Sequence, residues 1–198
     1  MAGALDVTVI DAARLYAVLR ERVDFAGSEL NIEGAARVGD RVRLFQRGNG
    51  AARPPLQPVN ATGDLDLAAL LAFLDDPARA PVPALTGVVT YDLGLVDGAP
   101  LSFTDAATAS DGQVVYLAAA EASADTYQDG PVAGVALGVL TPDGPRWCPI
   151  VDTDGAPLAA KVEGLAADPT DPQRWYVVTD RDDPHAPSEL LTLWVAGR

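Results

Sequence analysis

Cysteine and histidine each occur once in these 198 residues, and a single cysteine excludes both an internal disulfide and a cysteine-based zinc site. Cys148 sits in Pro145-Arg-Trp-Cys-Pro-Ile150, a strand-like stretch, and is expected to be a buried structural thiol. The one histidine, His185, lies between prolines and aspartates in a polar loop. It supports no Ser-His-Asp arrangement, and Gly-x-Ser-x-Gly is absent. Basic residues are also scarce, 14 against 28 acidic ones, for a net charge of −14. Such a surface repels phosphate backbones and anionic lipid, so neither nucleic acid nor membrane is expected as a partner. No apolar run is long enough to cross a bilayer. Met1 to Val7 carries no basic segment ahead of an apolar one, so the chain as it starts is expected to be cytoplasmic. That expectation lapses if a signal precedes this start.

Turn formers are plentiful: 18 glycines and 16 prolines. Many turns with few long periodic segments favour an all-β fold. Val7-Thr-Val-Ile10 reads as a short strand, and Asp11 as the cap of a short helix with Leu15, Tyr16 and Leu19 at helical spacing. A second helix is predicted from Asp66 to Leu74, with Asp64 as its cap. Both helices are expected to cover sheet edges.

The rest reads as strands carrying an internal repeat. One copy runs Asn31-Ile-Glu33-Gly-Ala-Ala36, turns at Gly39-Asp40, and continues Arg41 to Arg47. A second runs Phe103-Thr-Asp105-Ala-Ala107, turns at Asp111-Gly112, and continues Gln113 to Ala118. A third runs Lys161-Val-Glu163-Gly-Leu-Ala166, turns at Asp171-Pro172, and continues Arg174 to Thr179. Third strands follow at Gly87–Asp92, Gly134–Leu140 and Leu190–Val195, and Arg146–Val151 reads as a fourth strand of the second copy. A lone antiparallel sheet of this kind cannot bury both faces, so its neighbours must stack on it, as β-propeller blades do. The acids are spaced more widely than the ~40–50 residues of an ordinary blade. The predicted helix accounts for the excess in the first copy, and the loop 121–131 for that in the second.

The expected fold is therefore all-β, about three propeller blades with one or two short helical insertions, in one partial domain over residues 1–198. Its blade-like units are 28–98, 99–152 and 158–198, after a strand and short helix in 1–27. Three blades do not close a ring that needs ~4–8. The possibilities, in order of preference, are a fragment lacking earlier blades, two chains self-associating to complete six, and an open assembly.

Glu29-Leu-Asn-Ile-Glu-Gly-Ala-Ala36, Leu44-Phe-Gln-Arg-Gly-Asn-Gly50, Phe103 to Ala107, Asp129 to Gly134 and Lys161 to Gly164, taken as an ordered set, resemble an uncharacterised bacterial family, DUF6929. That family is similar in pattern to propellers described by an "esterase-like activity of phytase". The resemblance spans about Val7 to Val195. It implies a propeller, additional N-terminal blades in family members, and no established reaction.

Glu33, Asp105 and Glu163 are expected at equivalent repeat positions, innermost in their blades at the mouth of a central channel. A carboxylate there needs a partner: backbone N–H groups, a basic side chain or a cation. Recurrence in every copy favours the structural role, and a ring of carboxylates around Ca²⁺ or Mg²⁺ is the alternative. Asn31, Gln46, Arg47, Asn49, Lys161, Asp180 and Arg181, with Asp182, are candidate ligand-binding residues because their loops differ between copies. Gln46 and Arg47 could hold an anion. Asp125, Tyr127, Gln128 and Asp129 form a further candidate in the long second-copy loop. Trp147, Trp175 and Trp194 are expected to pack between blades. Gly48-Asn49-Gly50 lacks the residues of a phosphate loop.

Two functions follow. One is a non-catalytic scaffold for a small-molecule or protein ligand. The other is a Ca-type, metal-dependent esterase or phosphoesterase at the channel mouth, with Arg47 or Arg181 steadying the anion.

Overall fold

Strands whose side chains alternate between two apolar neighbours dominate the computed structural model, which describes residues 7–121, 132–181, 183 and 185–196. Three antiparallel sheets follow one another, each a meander of sequence neighbours. The first contains β1 (Ile32–Val38), β2 (Arg41–Gln46), β3 (Asn60–Asp66) and β4 (Thr86–Tyr91). The second contains β5 (Leu95–Val96), β6 (Ala99–Thr108), β7 (Val114–Glu121), β8 (Val132–Thr141) and β9 (Gly144–Pro149). The third has only β10 (Val162–Ala167), β11 (Arg174–Thr179) and β12 (Leu190–Trp194). The all-β reading with blade-like sheets holds. Asn60–Asp66 is a strand the sequence did not announce, because Asn, Gly and two Asp are poor strand formers. Here packing decides: Ala61 and Leu65 are fully buried. The segment expected as a third strand is thereby the fourth.

The sheets stack through alternate faces. Phe45 and Ala36 of the first sheet meet Leu101, Phe103 and Tyr116 of the second. The other face of the second sheet, with Val115, Leu117 and Leu137, meets Val162, Trp175 and Val177 of the third. Phe103 centres the first contact, with edge-on rings of Phe45 and Tyr116 at 5.1 Å and Tyr91 at 5.9 Å. First strands lie side by side in the order β1, β6, β10. Gly34 permits the closest approach, since a Cβ there would sit 2.9 Å from the backbone nitrogen of Ala106.

Three helices, α1 (Ala13–Glu21), α2 (Val23–Ala26) and α3 (Leu67–Asp75), close the far face of the first sheet. Leu15, Leu19, Phe25 and Phe73 pack on Leu44, Ala61 and Leu65. They cover a face, not only an edge, because Val42, Leu44 and Leu65 make that face too apolar to meet water. Asp11, expected as the cap of α1, lies one residue ahead of it: the cap is Ala12, which makes no side-chain bond, while Asp11 accepts from the Ala13 N–H and Tyr16 is exposed. The cap of α3 is Asp66, which accepts from the Ala69 N–H at 2.8 Å. Asp64, expected in that role, instead receives a bidentate fork from Arg43 at 2.7 and 2.9 Å.

Other expectations are corrected here. Val7–Ile10 belongs to no strand and is exposed. Cys148 is exposed, since β9 is an edge strand and the short third sheet does not reach over it. Trp175 packs between sheets and Trp147 donates to the Leu93 carbonyl at 2.7 Å, but Trp194 is 64% exposed. Among the described residues no helix is long and apolar enough to cross a membrane.

Candidate functional site

A bulge interrupts β1, β6 and β10, one strand of each sheet, at the same place. Pairing skips Glu33 between Ile32 and Gly34, Thr104 between Phe103 and Asp105, and Glu163 between Val162 and Gly164. Bulges re-aim a side chain, and this one turns the skipped residue out of the ladder. Glu33 and Glu163 are therefore true equivalents, and their counterpart in the second sheet is Thr104. Asp105 stands one position further on, opposite Leu117 as Gly34 stands opposite Phe45. A threonine followed by an acid looks like an acid in sequence, so alignment by residue type slips by one. Thr104 is buried, and its hydroxyl has no partner among the described residues.

The slip changes what each carboxylate does. Asp105 accepts from its neighbour Ala106 N–H at 2.7 Å and, across the junction, from Leu165 N–H at 2.7 Å. Oδ1 is thus held within its own strand, while Oδ2 ties the second sheet to the third. Burial raises its pKa, the two N–H bonds pull it back, and nearby Glu33 raises it further.

Glu33 and Glu163 converge instead on Arg47. This guanidinium is 4% exposed and lies 3.6 Å from Glu33, 3.9 Å from Glu163 and 2.6 Å from Glu121. All three sheets thus contribute to one charged cluster. Lys161 joins it 3.2 Å from Glu163. Nε of Arg47 has no partner among the described residues. Glu121 is nearly buried, while Glu33 and Glu163 are about a quarter exposed and open the cluster to water. Glu163 has a raised pKa, first from burial; Lys161 and Arg47 lower it and Glu33 raises it. Among the described residues three carboxylates face two cations, a surplus of negative charge that can accept hydrogen bonds from a cationic or hydroxyl-bearing group. Among the described residues no three His, Cys, Asp or Glu side chains come together in a way that could hold a metal ion.

Several predicted ligand residues have internal duties. Gln46 accepts from the Asn31 N–H at 2.8 Å and donates to the carbonyls of Glu29 and Arg47. It is buried and ties the strand end, so it does not join Arg47 in an anion fork, and Arg47 itself is held by carboxylates. Asn31 donates to the Asn49 side chain at 3.2 Å. Asp180 takes the Arg47 position of the third sheet: each N–H donates to the carbonyl facing it, Lys161 and Asn31 respectively. Arg181 lies outside the cluster's salt bridges, in a half-exposed ion pair with Glu189 at 2.6 Å. Asp125, Tyr127, Gln128, Asp129 and Asp182 lie outside the described residues.

Sequence reasoning missed Glu121 and Asn60. Glu121 ends an apolar strand, Val114 to Ala120, and an acid directly after such a run was the available signal. Asn60 donates to the Leu101 carbonyl at 2.9 Å and accepts from the N–H groups of Gly48 and Phe103, which joins the first sheet to the second. Nothing in its sequence neighbourhood marks it.

A family model described as a family of unknown function, DUF6910, matches residues 1–184. This corrects the resemblance to DUF6929, whose pattern was carried by short, individually weak motifs. No curated protein matches the chain, and no solved structure does.

Proposed function

The chain belongs to the DUF6910 family, whose function is unknown, and on that footing we propose that it is a non-catalytic scaffold binding a small polar ligand at the Arg47 cluster. The ligand donates hydrogen bonds, as an amine or a polyol does, to the water-facing oxygens of Glu33 and Glu163. One observation carries this reading: three sheets place surplus carboxylate, partly exposed, around one buried guanidinium. A ligand held there would touch residues from the first and third sheets and brace the stack. Binding to the folded state alone raises stability by mass action, by about 2.7 kcal/mol at a hundredfold excess over Kd.

Thermal unfolding against a panel of small amines, polyols and divalent cations tests it. The expected result is a concentration-dependent rise in Tm for one class, abolished by Glu33→Gln or Glu163→Gln. No response across the panel removes the reading. The competing metal-dependent hydrolase predicts turnover of a generic ester or phosphate ester that a chelator stops, so the same samples are assayed with and without chelator.

A further inference from the structure

Among the described residues the third sheet has three strands. Its companions have four and five strands, and a propeller blade has four. β12 ends the sheet, so among the described residues one of its edges has no strand partner. Beside that edge runs a groove of about 450 Å³. Thr192 to Ala196 form one wall, Leu137 and Cys148 of the second sheet with Ile150 just after it form the floor, and Asp152 and Thr153 lie at its side. A free strand edge beside an apolar floor is the arrangement that accepts an added β-strand.

The chain also carries an unused strand. Val7-Thr-Val-Ile10 is β-branched at every position, yet it pairs with nothing described. Val7 is 80% and Val9 94% exposed. Four residues extend about 13 Å, close to the length of the five-residue β12. With Val7 and Val9 turned to the floor, Ile10 falls on the other face beside exposed Leu190 and Trp194.

The segment cannot reach its own groove. Residue 13 begins α1, whose Leu15 and Leu19 are fixed to the far face of the first sheet. The third sheet lies two sheet spacings beyond, on the order of 20 Å from the first. Residues 10–12 span at most about 10 Å. The same segment of a second copy is under no such limit. We propose that two copies exchange Val7–Ile10 reciprocally, each segment adding to β12 of the other about a two-fold axis. Each seated segment buries on the order of 500 Å², and the reciprocal pair roughly 1,000 Å², the lower bound for a specific interface. A reciprocal exchange about a two-fold axis is isologous and closes as a dimer. Each copy carries a charge of −14, so added salt strengthens the pairing.

Sedimentation velocity of the full chain over a range of concentrations and salt tests the proposal. A dimer is expected, favoured by salt and reduced at least tenfold in affinity by Val9→Asp. That residue makes almost no contact in the single chain, so the variant keeps its fold, as circular dichroism would verify. Val9→Cys places a thiol opposite Cys148 of the other copy, and oxidation is expected to yield a covalent dimer. A monomer at every concentration overturns the proposal. So does a dimer indifferent to Val9→Asp, or a 9–148 link formed within one chain.

Discussion

Arg47 shows how one side chain holds three sheets in register. Removing it leaves Glu33, Glu121 and Glu163 facing one another, with Lys161 as the one cation beside them among the described residues. Breaking a buried ion pair from one side costs about 3–5 kcal/mol, so Arg47→Met is expected to lose that much in urea unfolding. Thr104, at the same bulge position as Glu33 and Glu163, is the converse case. Its buried hydroxyl lacks a partner, and such a group carries a desolvation cost of about 1–3 kcal/mol. Thr104→Val, equal in shape, is expected to raise stability by about 1 kcal/mol in the same assay. Two acids set opposite pH limbs. The raised pKa of Glu163 means the folded state keeps its proton longer, so stability falls as pH rises above the ordinary value of 4.5. Glu163→Gln is expected to flatten that slope. Asp168 is held well below the usual range, first by the Tyr176 hydroxyl and then by the N–H and hydroxyl of Thr170. Its stabilisation is present above the ordinary carboxylate pKa and is lost as pH falls through the lowered one. Asp168→Asn removes that acid-side loss, as stability measured from neutral pH downward would show.

At the scale of elements, packing between sheets outweighs local propensity. β3 forms from poor strand formers because Ala61 and Leu65 fill the space under the helices. Val7–Ile10, rich in strand formers, stays outside every sheet. The joint between the first and second sheets rests on the ring of Phe103 among Phe45, Tyr91 and Tyr116. Truncating a fully buried Phe costs about 3–5 kcal/mol, and Phe103→Ala is expected to do so, measured by denaturant midpoint at constant slope.

For the whole molecule, the surplus of acid is a global strain on the fold. A net charge of −14 repels itself in the compact state. Raising salt from 20 to ~200 mM shortens the Debye length from about 20 to about 7 Å and screens most of that repulsion. Tm is expected to rise by a few degrees over this range in calorimetry. A flat response would mean that local pairs such as Arg43–Asp64 already neutralise the surface.

Composition and periodicity were enough to make the molecule all-β and built of blade-like sheets, because turn chemistry and apolar alternation are local. They also brought Glu33, Glu163, Arg47 and Lys161 forward as site residues, since acids and bases beside small-residue strands are conspicuous in any order. Which carboxylate meets which partner was decided only in three dimensions. A bulge adds one residue to one strand without any mark in its composition, so Asp105 and Thr104 exchange roles that residue type assigns the other way. Contacts such as Glu121 with Arg47 join residues far apart in the chain, and only the stacking of finished sheets brings them within reach.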